Sequence, residues 1–128
     1  MGGNYIIPRL ARLSSLLYQE RYVIGGTPNE YVLDVELLED VEGLKYLVRR
    51  PEERATFTNA QLATLEELFD YLEAHSGEAL SGKSREDTAA LIRGSDVWHE
   101  MRAKAASALE ALGVSADLTV EEIDRMNE

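Results

Sequence analysis

Residues 27–50 read TPNEYVLDVELLEDVEGLKYLVRR, and the period assigned to this stretch decides the fold. Two readings compete. Thr27-Pro28-Asn29-Glu30 has the form of a capping box with proline at the first helical position, which argues for a helix. Against it, Tyr31, Leu33, Val35 and Leu37 alternate with Val32, Asp34, Glu36 and Leu38, closer to the period of a strand. On a helical wheel these apolar residues spread around the whole circumference. Leu44, Tyr46 and Val48 alternate with Lys45, Leu47 and Arg49 in the same way, and Glu39–Gly43 would supply the turn. The preferred reading is a β-hairpin of residues 31–38 with 44–50, followed by a loop over Pro51–Thr56. A helix here would instead make the chain an all-α bundle.

Outward from that stretch the sequence is punctuated as helix. Thr58 and Gln61 form a capping box with Phe57 and Leu62 as a hydrophobic staple, and Leu62, Leu65, Leu68, Phe69 and Leu72 follow at helical spacing, with Gly77 as the expected stop. Ser84 with Asp87 opens a short helix ending at Gly94. Ser95 opens a longer one carrying Val97, Trp98, Met101, Ala105, Leu109 and Leu112. Gly113 suits a left-handed cap with Val114 closing back on Leu109, and Thr119 with Glu122 repeats the capping box beside Leu118 and Ile123. Before the ambiguous stretch, Pro8 fits the first turn of a helix carrying Leu10, Leu13, Leu16 and Leu17, which ends before Gly25-Gly26. The expected fold class is α+β: one domain over residues 1–128, mainly helical with about five helices, and one β-hairpin near 31–50.

Size and composition fit that picture. A chain of 128 residues can bury one core, and 45% hydrophobic content argues against disorder. The absence of cysteine removes disulfides, thiolate chemistry and cysteine-bound zinc. Pro8, Arg9 and Arg12 interrupt any export-signal hydrophobic region in Met1–Leu17, Ile6 departs from the myristoylation pattern, and no apolar run approaches a membrane span. A cytoplasmic protein without a membrane role is expected.

Gly77-Glu78-Ala79-Leu80-Ser81-Gly82-Lys83-Ser84 matches the phosphate-loop pattern G-x-x-x-x-G-K-[ST]. In such a loop the amides cradle phosphate, lysine binds the outer oxygens and serine holds magnesium. The context needed is a buried strand before the loop. Here an amphipathic helix precedes it, and Glu78 would sit inside the anion cradle, so a helix-to-helix connection is the plainer reading. His75 and His99 belong to no H-E-x-x-H arrangement, and Asp96, His99 and Glu100 are read as solvent-facing residues near a helix start. No serine sits in a G-x-S-x-G elbow. No catalytic residue, metal or cofactor is expected, and the chain is not expected to be an enzyme.

What remains is charge. Formal net charge is −11, from 24 Asp and Glu against 13 Lys and Arg. Two stretches without Lys or Arg carry much of it: Pro28–Glu42, with Glu30, Asp34, Glu36, Glu39, Asp40 and Glu42, and Asn59–Glu78, with Glu66, Glu67, Asp70, Glu73 and Glu78. Such fields repel nucleic acid and anionic membranes and attract basic surfaces. Glu66, Asp70 and Glu73 fall opposite the leucine stripe, with Glu67 beyond them. The expected partner-binding residues are Glu36, Glu39, Asp40, Glu42, Glu66, Glu67, Asp70 and Glu73. Of the tyrosines Tyr18, Tyr22, Tyr31 and Tyr46, an exposed one beside an acidic run would make an interface anchor.

In bulk character the chain resembles the small bacterial immunity proteins of contact-dependent growth-inhibition systems. They are about one domain in size, cysteine-poor, often acidic, and paired with a basic nuclease toxin. The residues carrying the likeness are Glu36, Glu39, Asp40 and Glu42 with Glu66, Glu67, Asp70 and Glu73. The resemblance implies a non-catalytic inhibitor that binds one basic toxin domain in the cytoplasm and blocks its active-site cleft. A phage-type adaptor or assembly chaperone is the alternative, and a small nucleotide-binding protein using the 77–84 loop a second. The oligomeric state is left open.

Overall fold

The computed structural model describes residues 3–28 and 30–126. Asn29, inside the Thr27–Glu30 capping box, lies outside them, as do Met1 and Gly2 at the start of the amino-terminal reading. In chain order the elements are α1 (Gly3–Ser14), α2 (Leu16–Gln19) running into a π-helical turn at Glu20–Ile24, α3 (Asp34–Val48), α4 (Pro51–Arg54), α5 (Asn59–Ala79), α6 (Arg85–Gly94), α7 (Asp96–Ala111) and α8 (Val120–Arg125).

Four of these make the frame. α1 packs against α3 and α7, and α5 packs against the same two helices, so the four close around one core. Gln61 at the start of α5 donates to the Ala111 carbonyl at the end of α7 (3.1 Å), while Trp98 near the start of α7 donates its indole N–H to the Ala79 carbonyl at the end of α5 (3.0 Å). Those two bonds run the helices antiparallel. Arg49 with Glu66 and Lys45 with Glu73 do the same for α3 and α5. The result is an up-down bundle, with Trp98, Phe69, Ile6, Leu38, Leu65, Met101 and Leu109 fully buried between its helices.

The expected hairpin over residues 31–50 does not form, and the α+β class falls with it. Among the described residues there is no strand, only an isolated bridge between Thr27 and Glu30, and the fold is all-α. The buried residues of α3 give the reason. Leu37, Leu38, Val41, Leu44 and Val48 recur at helical spacing and enter the core together. The apparent alternation came from residues that are not core: Tyr31 and Leu33 sit in the loop ahead of α3, 59% and 48% exposed, and Tyr46 is 69% exposed on its outer face. Glu39–Gly43, expected as a turn, lies inside α3, and Pro51–Arg54 within the expected loop forms α4. Thr27 Oγ1 accepts the Glu30 N–H (3.1 Å), but this closes a turn, and α3 begins only at Asp34.

Helix ends elsewhere follow the sequence closely. Thr58–Gln61 and Thr119–Glu122 both form complete capping boxes, and Ser84 and Ser95 cap α6 and α7 by accepting the Asp87 and Trp98 N–H groups. Gly113, at φ +85°, donates to the Glu110 carbonyl while Val114 donates to that of Leu109, which is the Schellman pattern.

Two boundaries differ. Gly77 does not stop its helix; α5 continues to Ala79, because Ala79 and Leu80 still pack on the core and Ala79 holds the Trp98 indole. Pro8 lies inside α1, which starts early enough to bury Ile6. That helix then breaks at Ser15, whose hydroxyl caps α2 by accepting the Tyr18 N–H (3.0 Å). The break rotates the chain, so Leu16 and Leu17 leave the expected apolar stripe for the surface, while Tyr18 and Gln19 turn inward. Buried Gln19 donates to the Leu13 carbonyl (2.8 Å) and accepts from Arg102 of α7 (3.0 Å), which pins the π turn to the bundle.

Candidate functional site

The two acidic runs have different fates. On α5, Glu66 and Glu73 sit on the flank toward α3 and Glu67 on the flank toward α7. Arg49 donates to both Glu66 oxygens (2.7 and 3.3 Å), and Arg54 approaches the same carboxylate at 3.6 Å. The Arg49 hydrogen bond holds the Glu66 carboxyl below the usual carboxylate range, against the opposing effect of partial burial. Lys45 stands 3.9 Å from Glu73, and Lys104 donates to Glu67 at 3.0 Å. Of the four expected binding residues on α5, Asp70 alone is without an ion pair among the described residues, and it is exposed. The expected acidic face is largely a set of stitches to α3, α4 and α7.

The run on α3 keeps its charge outward. Asp40 turns toward α1, where Arg12 lies 4.0 Å away. Glu36, Glu39 and Glu42 form no ion pair among the described residues; Glu36 and Glu39 are exposed and Glu42 half-buried. Glu36, Glu39, Gly43 and Tyr46 recur at three- and four-residue steps, so they share the outer face of α3. Tyr46 carries the Lys45 ammonium 5.2 Å from its ring centre. Beside this face a shallow groove of about 430 Å³ separates α1 from α3, walled by Tyr5 and Arg9 on one side and Glu39, Gly43 and Leu47 on the other.

The chain matches no family model, no curated protein and no solved structure.

Within the fold, the 77–84 loop lacks the shape of an anion cradle. Gly77, Glu78 and Ala79 are the last residues of α5, so their amides point along a helix rather than into a nest. The Lys83 N–H faces the Asp87 carboxylate at 3.3 Å, a partner that repels phosphate. No group of three or more His, Asp or Glu among the described residues could hold a metal ion. His75 stacks on Tyr71 with ring centres 4.2 Å apart, and His99 and Asp96 are exposed. No helix among the described residues is long and apolar enough to cross a membrane.

The internal pairing of α5 left a trace in the sequence. Lys45 and Arg49 are one turn apart, as partners for Glu73 and Glu66 two turns apart on the antiparallel helix. That ladder becomes visible only when residues 44–50 are read as helix. Gly43 was missed as a surface feature for the same reason, and Tyr46, one of four tyrosines considered as an interface anchor, is singled out only by its exposure on the helix.

Proposed function

We propose that this chain is a non-catalytic, acidic protein-binding inhibitor: an immunity protein that neutralises a basic nuclease-type toxin in the cytoplasm by covering its active-site cleft. The observation that carries the reading is the outer face of α3, where Glu36, Glu39 and Glu42 have no ion pair among the described residues and lie on the same helix as the exposed ring of Tyr46. Unpaired carboxylates steer a basic partner and set its orientation, while a rigid aromatic side chain supplies contact area at little entropic cost. Gly43, with nothing within 4 Å of a Cβ added there, removes side-chain bulk between Glu39 and Tyr46 and admits a partner's backbone closely.

The test is stoichiometric inhibition. A basic nuclease domain, sought first among the neighbouring genes, is mixed with the purified chain, and its activity is titrated on DNA and RNA. The reading expects a one-to-one complex and loss of cleavage at equivalence. A complex that leaves cleavage intact would favour the adaptor or chaperone reading instead, and absence of binding would remove the inhibitor reading.

A further inference from the structure

A second concavity, at the amino-terminal end of α3, lies between the π turn, the loop into α3, and α6. It has a volume of about 450 Å³ and a largely apolar wall that includes Val23, Ile24, Tyr31, Val32, Leu33 and Ala89. That volume falls in the range of ligand-receiving pockets. Several features around it are not what a stable core would choose. One wall is a π-helical turn, a rare form that recurs at functional sites. Gly26 lets the loop pass so close that a Cβ there would come within 2.7 Å of Tyr31 Cβ, and a Cβ on Gly82 would meet Thr88 at 2.6 Å. Most telling is Leu33. It occupies the N-cap of α3 without a side-chain cap hydrogen bond, a position that favours Ser, Asp or Asn, and it is nevertheless half exposed. A leucine that neither caps its helix nor enters the core serves neither purpose of the fold.

We propose that this groove receives one large apolar side chain from a basic protein partner, flanked in that partner by Lys or Arg. The proposal rests on the inhibitor reading and extends its interface from the middle of α3 around its amino-terminal end. Charge complementarity selects the occupant. Asp34 lines the groove, and Glu36 follows at the first turn of α3 on the outer face. The cation on the opposite wall, Arg85, is held there by donating to the Ile24 carbonyl at 3.2 Å and keeps its charge, so the groove is acidic on its α3 side only. An apolar side chain seated against Leu33, Val23 and Ala89 therefore places the flanking residues on its α3 side beside the Asp34 and Glu36 carboxylates. A basic segment gains there and an acidic one loses.

The experiment uses the whole chain and three blocked tripeptides, Lys-Trp-Lys, Ser-Trp-Ser and Glu-Trp-Glu, each titrated while backbone amide shifts are recorded by NMR. The groove should respond at Val23, Ile24, Val32 and Ala89, with the lysine peptide bound about fivefold more tightly than the glutamate peptide at low salt. Ala89→Phe, which fills the groove from α6, should abolish these shifts. Leu33→Ser should weaken the lysine peptide while raising the thermal midpoint by supplying a proper N-cap, a combination that a structural leucine would not produce. Shifts that appear elsewhere, that persist in Ala89→Phe, or that are equal for the lysine and glutamate peptides would overturn the proposal. Equal binding of the serine and lysine peptides would mark a pocket for neutral small molecules, and would overturn it too. Nuclease inhibition by Ala89→Phe separates the two readings: full inhibition with no groove binding removes the groove and leaves the inhibitor.

Discussion

Arg49 grips Glu66 with two guanidinium nitrogens, at 2.7 and 3.3 Å, across the seam between α3 and α5. This pair turns part of the α5 acidic run inward to structural use. With Lys45–Glu73 and Lys104–Glu67 it leaves the α3 run as the larger source of uncompensated negative charge on a helix face. Which acidic run can meet a partner is therefore decided by where the basic residues of neighbouring helices lie.

The Glu66 pairing carries a pH signature. Its carboxyl is held below the ordinary value of 4.5, chiefly by the Arg49 hydrogen bond. A depressed carboxyl contributes stability above its unfolded value, and that contribution is lost as pH falls through the folded one. Glu66→Gln should therefore melt below the native protein at neutral pH, with the gap closing as pH falls below the ordinary carboxylate value. The gap should be small, because the pair is partly solvated and screened by salt. Melting curves across that range check it, and a gap that does not change with pH would mean the ion pair contributes nothing.

Two glycines should respond with opposite signs. Gly77 sits within α5, where an added Cβ meets nothing within 4 Å, so Gly77→Ala should stabilise the chain by about 0.5–1 kcal/mol. Gly113 is left-handed at φ +85°, so Gly113→Ala should destabilise it by about 1 kcal/mol. Denaturant midpoints of both variants suffice. Loss of stability in Gly77→Ala would restore that glycine as a helix stop or loop residue.

Trp98 is the sole tryptophan, fully buried, and its indole N–H donates to the Ala79 carbonyl where α5 ends. Trp98→Phe leaves that acceptor unpaired and opens space in the core, and should cost roughly 2–4 kcal/mol. Circular dichroism during urea unfolding measures it. In the native protein, Trp98 fluorescence should shift to longer wavelength in the same transition, since burial of this ring and bundle formation are one event.

The caps were legible because each is a local contract between residues three or five apart: Thr58 with Gln61, Thr119 with Glu122, Leu109 with Val114. Stretch 27–50 was not. Its core residues, Leu37, Leu38, Val41, Leu44 and Val48, are interleaved with Val35, Tyr46 and Leu47, which blur the helical period. Tyr46 and Leu33 are exposed, so their apolar character reported surface chemistry rather than burial. Leu16 and Leu17 failed for another reason: the Ser15 cap and the π turn change the phase of the chain, and no spacing rule carries across such a break. Of the candidate site, the acidic residues were visible in the sequence. Their partners were not, because Arg49 reaches Glu66 only through the packing of α3 on α5.

Association kinetics with a basic nuclease domain that the chain inhibits would separate the two acidic runs most directly. The native chain is compared with a triple variant of α3, Glu36→Lys, Glu39→Lys and Glu42→Lys, and one of α5, Glu66→Lys, Asp70→Lys and Glu73→Lys. Both triples make the same change in net charge, so the long-range field is matched. The α3 triple should slow association by about ten- to a hundredfold at low ionic strength and flatten its salt dependence, while the α5 triple should lose stability and retain the faster association rate. A folded α3 triple that associates as fast as the native chain, or an α5 triple slowed to the same extent, would contradict the assignment of the partner surface to α3.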